Sequence, residues 1–75
     1  MGYALSDFMV HVDESLDADE RSELVDIVRG DGCVISAAFP QSTPHLMMVL
    51  YDCECTHAQD ILDHVRDTGL HATML

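Results

Sequence analysis

The chain has 75 residues, 48% of them hydrophobic, which excludes disorder by composition and limits the core to a marginal size. Its 14 acidic residues face three arginines (Arg21, Arg29 and Arg66) and no lysine, for a formal net charge of −11. A surface of that sign repels DNA, RNA and anionic lipid, because each phosphate contact needs a cationic partner, so nucleic-acid binding is excluded.

Residues 3–12 read as a first strand, with Phe8, Val10 and Val12 on one face and Met9 and His11 on the other. Asp13 and Glu14 break it. A first helix is expected to begin near Ser15 to Asp17. There Asp17 and Glu20 have the spacing of a capping box, and Asp17, Asp19 and Glu20 suit the positive end of the helix dipole. Leu24, Val25 and Val28 form its apolar stripe, with Ile27 at the edge, and Gly30-Asp31-Gly32 stops it. Residues 33–39 read as a second strand, with Cys33, Ile35, Ala37 and Phe39 on one face and Val34, Ser36 and Ala38 on the other.

Pro40 and Pro44 bound a loop, and residues 45–51 form a third strand, apolar enough to be central in a sheet. Thr56 and Gln59 repeat the capping-box spacing and predict a second helix, buried through Ile61, Leu62 and Val65 and closed by a left-handed Gly69. Residues 70–75 supply a short last strand. The order βαββαβ, with two helices able to cover one sheet face, predicts an α+β ferredoxin-like sandwich. Right-handed crossovers give a four-stranded antiparallel sheet of order 4-1-3-2, and residues 1–75 are expected to form a single domain. The other sheet face is left open. Met9, Met48 and Leu50 fall on it and make a surface for a protein partner or a second copy of the chain.

No stretch is long enough to span a bilayer, and the N-terminus lacks the basic-then-apolar pattern of a signal peptide. A cytoplasmic location without membrane insertion is expected. With no Gly-rich phosphate cradle and no evident triad around Ser15, Ser36 or Ser42, the chain is not read as an enzyme.

Val49-Leu50-Tyr51-Asp52, Ile61, Leu62 and Val65, and Asp67-Thr68-Gly69-Leu70-His71-Ala72 resemble the third strand, second helix and last-strand approach of the heavy-metal-associated domains, the family of small copper chaperones and metal-ATPase modules. The resemblance covers the whole chain in topology and about its last 30 residues in motif. It implies the ferredoxin-like fold and soft-metal binding. That family holds its ion through Met-x-Cys-x-x-Cys between strand one and helix one. The corresponding segment here, His11-Val12-Asp13-Glu14-Ser15-Leu16-Asp17, has no cysteine, so the usual site is not inherited.

The three cysteines belong elsewhere. Strands two and three fold back on one another through the proline loop. If Phe39 faces Leu46, Cys33 faces Asp52 with Cys53 beside it, and Cys55 and His57 follow at once. Cys33, Cys53, Cys55 and His57 therefore form a candidate site for Cu(I) or Zn at the end opposite the family's usual one. Two other readings stay open: ordinary small or loop cysteines, and a redox pair, for which Cys33–Cys53 is the better choice because Cys53–Cys55 would close a strained ring. A second, weaker cluster of His11 and His71, with His45 and Asp13 nearby, lies at the far end. The function expected is a small soluble metal carrier or sensor with a relocated thiol–histidine site. The alternative is a degenerate, non-metal-binding module acting through protein contact or homodimerisation.

Overall fold

The computed structural model describes residues 4–75. Its elements run β1 (Leu5–Val12), α1 (Ala18–Arg29), β2 (Val34–Ala38), β3 (Leu46–Asp52), α2 (Ala58–Asp67) and β4 (Ala72–Met74). The strands form one antiparallel sheet of order β2-β3-β1-β4, which is the expected 4-1-3-2 order read from the other edge. Tyr3, placed in the first strand by its sequence, lies outside the described residues.

Alternation decides which side of the sheet is covered. Val10 and Val12 of β1 and Met47, Val49 and Tyr51 of β3 are buried with Phe8 packed against them, and the residues that alternate with these turn to the open face. Above them lie Leu24 and Val28, one helical turn apart on α1, and Ile61, Leu62 and Val65 on α2. α1 packs beside β2, α2 beside β4, and the helices touch each other. Phe8 meets Tyr51 edge to face at 5.5 Å, which closes the core toward the β3 end.

Two local expectations are corrected. The β2 alternation is broken: Val34 and Ala37 are both buried while Ile35 is 48% exposed. The cause is a bulge between Val34 and Ser36, where one extra residue resets the pleat. Val34 therefore pairs with Tyr51 as the expected register requires, but Ala37 pairs with Val49 and Ala38 with Met48, one residue out of that register. Second, α2 does not start with a Thr56 cap. Thr56 N–H donates to the carbonyl of Asp52 (3.1 Å), and His57 takes the N-cap position with no side-chain cap hydrogen bond. Gln59 Nε2 donates instead to Asp63 Oδ1 (2.9 Å), one turn along the helix. Gly30 ends α1 as expected, in a right-handed conformation (φ −65°), and the only left-handed glycine among the described residues is Gly69 (φ 95°), just past α2 as expected. The Asp17–Glu20 capping box is present in both directions, at 2.8 and 3.0 Å.

Candidate functional site

The sulfur end of the molecule is organised by Asp52, the last residue of β3. Its N–H donates to the Cys33 carbonyl (2.9 Å), which fixes the start of β2 beside the end of β3. Its carbonyl accepts from Cys55 N–H (3.0 Å) and Thr56 N–H (3.1 Å), and its Oδ1 accepts from Glu54 N–H (2.9 Å). A short acidic side chain that bonds the backbone two residues on makes a tight turn. On the other side Asp31 Oδ1 accepts from Cys33 N–H (2.9 Å), the same device at the β2 start.

The Asp52 turn curls the chain back, so Cys55 comes to rest over Cys33. Their Cα atoms are 5.5 Å apart and their sulfurs are joined in a disulfide across 22 residues. Cys53 is the free cysteine and is exposed, while its N–H is tied to the Ala4 carbonyl at 2.8 Å. The fold thus brings Cys33, Cys53 and Cys55 to one end, as the strand pairing predicts. Among redox pairs it joins Cys33 to Cys55 rather than to Cys53. Cross-strand register names the neighbour of Cys33 but does not contain the turn that follows β3. His57 is exposed at the N-cap of α2, two residues beyond the disulfide. Among the described residues, no three His, Cys, Asp or Glu side chains converge as a metal-holding group.

The histidine end is built differently. His11 Nδ1 lies 3.0 Å from Asp13 Oδ1, and its ring stacks on that of His45 with centroids 5.9 Å apart. His45 Nδ1–H donates to the Val12 carbonyl (2.9 Å), which commits that nitrogen to the backbone. His71, whose carbonyl accepts from Asp13 N–H (2.9 Å), is claimed by Glu14. Its Nδ1 is 2.7 Å from Glu14 Oε2, and its backbone N–H donates to both carboxylate oxygens at 3.0 and 3.1 Å. These bonds hold the Glu14 carboxyl below the usual carboxylate range and hold the His71 imidazole above its usual one. Arg21 Nη1 donates to the Leu16 carbonyl (2.6 Å), so the segment between β1 and α1 is pinned from His71, just before β4, and from α1.

Sequence reading gave Asp52 and Glu14 no part in organising the two ends. Asp52 carried a signal in the short Asp–Cys–Glu turn sequence. Glu14 and His71 are 57 residues apart, and only the β1–β4 pairing brings them together.

No protein-family model matches the chain, and no curated protein does. Its likeness is to solved structures. The crystal structure of a copper binding domain from HMA7, a P-type ATPase, superposes with a TM-score of 0.81 at 19% identity over 92% of each chain. The yeast copper transporter domain CCC2A, solved in apo and Cu(I)-loaded states, gives 0.78 at 19% identity over 92% of this chain and 93% of that one. A Bacillus anthracis str. Ames protein assigned as copper-ion-binding gives 0.82 at 14% identity over 96% of this chain and all of the other. Such identities show the fold alone. The chain is similar to copper-binding domains in architecture, with a cysteine-free segment between β1 and α1 and its sulfurs at the opposite end of the sheet.

Proposed function

We propose that residues 1–75 form a small metal-binding module, a carrier or sensor for a soft or borderline ion, Cu(I) or Zn(II). In the thiol state Cys33, Cys53 and Cys55 would supply sulfur donors, and His57 the imidazole of a fourth. The observation that carries this reading is the 5.5 Å separation of the Cys33 and Cys55 Cα atoms, with Cys53 two residues from Cys55. Zn–S bonds are about 2.3 Å, so thiolates on neighbouring backbones at that spacing can share one ion. Thiolate and imidazole are also the donors that such ions prefer. The fold likeness to copper-binding domains supports the class of function, and a reducing cytoplasm is the compartment in which the thiols would be kept. Catalysis is not part of the reading. The test is native mass spectrometry of the reduced chain with Cu(I) and with Zn(II). One tightly held ion is expected, lost when Cys53 and Cys55 are both replaced by Ser. Unchanged binding in that double variant, or none in the reduced chain, overturns the site.

A second reading has its own observation. Leu5 (50% exposed) and Met48 (46%) stand on the open sheet face, where a degenerate, non-metal-binding module would meet a protein partner or a second copy of itself. Sedimentation across a concentration series distinguishes it. A dimer that forms without metal and is lost in Met48→Asp supports this reading, and a monomer throughout removes the homodimer.

A further inference from the structure

We propose that the Cys33–Cys55 disulfide is a reversible gate on the thiol site, closed when oxidised and opened by a dithiol reductant. This rests on the metal reading given above and names its regulation. In the oxidised chain Cys33 and Cys55 are bonded to each other and only Cys53 is free. One thiolate does not make a soft-metal site, and three at one end can.

Three features of the structure suit a bond that opens and closes rather than a permanent staple. The first is access: Cys55 is exposed and Cys33 half-buried, so a reductant reaches the bond without unfolding the chain. The second is independence from the core. The buried cluster runs from Val10 to Ala72 and includes no cysteine among the described residues. The third is that the two segments are held together by other means. The Asp52 N–H bond to the Cys33 carbonyl, the Asp31 bond to Cys33 N–H and the Cys55 N–H bond to the Asp52 carbonyl, all between 2.9 and 3.0 Å, do not involve sulfur. Opening the disulfide therefore releases two thiols that stay beside each other and beside Cys53.

The chemistry balances. A thiolate of the reductant attacks the Sγ of Cys55, the more exposed residue, and a mixed disulfide forms as the bond to Cys33 breaks and Cys33 leaves as thiolate. The reductant's second thiol then displaces Cys55. The reductant ends as its own disulfide, and the chain gains two electrons and two protons as the Cys33 and Cys55 thiols. Ion binding afterwards releases thiol protons to solvent.

The experiment compares the intact chain oxidised by diamide with the chain reduced by dithiothreitol and desalted under argon. Each form is alkylated with iodoacetamide to count thiols, titrated with Zn(II) under native mass spectrometry, and recorded as an amide proton–nitrogen spectrum. One alkylated cysteine and no zinc are expected for the oxidised form, against three alkylated cysteines, one zinc and a still dispersed spectrum for the reduced form. Equal zinc binding by both forms overturns the gate and leaves the metal reading standing. Zinc in neither form overturns the gate and the Zn(II) form of the metal reading, and the Cu(I) titration of the reduced chain given above decides the Cu(I) form. Three free thiols after diamide, or a collapsed spectrum on reduction, overturns the gate whatever the zinc result.

Discussion

Glu14 and His71 illustrate how one pair of residues sets a pH dependence. The folded His71 imidazole titrates above its usual range because it bonds to the Glu14 carboxylate, so its contribution is complete at lower pH and is lost as pH rises through the folded value. Glu14 titrates below its usual range because of the same bond, so its contribution is present above the ordinary carboxylate range and is lost as pH falls through the folded value. Both stabilise together between the two ranges. His71 is exposed and Glu14 keeps about a third of its side chain in solvent, so the effect on unfolding is small and is better read at the residue. In Glu14→Gln the amide oxygen can still accept from the His71 backbone, but the charge is gone. An NMR titration of that variant should find the His71 imidazole back near its ordinary range, and an unchanged titration would show that Glu14 is not the cause. The pair was invisible in the sequence because Glu14 reads there only as a residue that breaks a strand.

At the scale of elements, helix starts test how far local pattern determines structure. The two capping-box spacings look equivalent in sequence, Asp17 with Glu20 and Thr56 with Gln59. Only the first is used. Removing a working N-cap side chain costs about 1 kcal/mol. Asp17→Ala should therefore lower unfolding stability by about that amount, while Thr56→Ala should leave it within about 0.5 kcal/mol, as expected for a substitution away from such features. Urea denaturation of the two variants side by side checks the contrast, and equal losses would mean that Thr56 caps α2 after all. The reason for the difference lies outside the helix. The Asp52 carbonyl already holds Thr56 N–H in the turn after β3, which delays α2 by a residue. β2 gives the same lesson. Its alternation predicts Ile35 and Ala37 on one face, and the bulge sends Ile35 to solvent while Val34 and Ala37 go inward. A bulge is decided by the strand it pairs with, here β3, and has no signature in β2 alone.

For the whole molecule the disulfide is the largest single covalent constraint. Closing a loop of 22 residues lowers the entropy of the unfolded chain enough to stabilise the fold by about 3 kcal/mol. A domain of 75 residues has about 4–11 kcal/mol of stability in all, so the reduced chain should remain folded but with a melting temperature lower by about 10–25 °C. Thermal unfolding with and without reductant measures this, and a shift under a few degrees would mean that the bond does not constrain the chain. By itself the sequence determined the order of elements, the central place of β3, the helix faces and the convergence of Cys33, Cys53 and Cys55 at one end. Those follow from periodicity and burial, which each segment carries within itself. The tertiary structure alone decided that Cys33 bonds Cys55, that Glu14 is held by His71, and that α2 begins at Ala58. Each of these depends on where a turn or a neighbouring strand delivers a distant group. That position is set by contacts between elements and is not written in the pattern of any one of them.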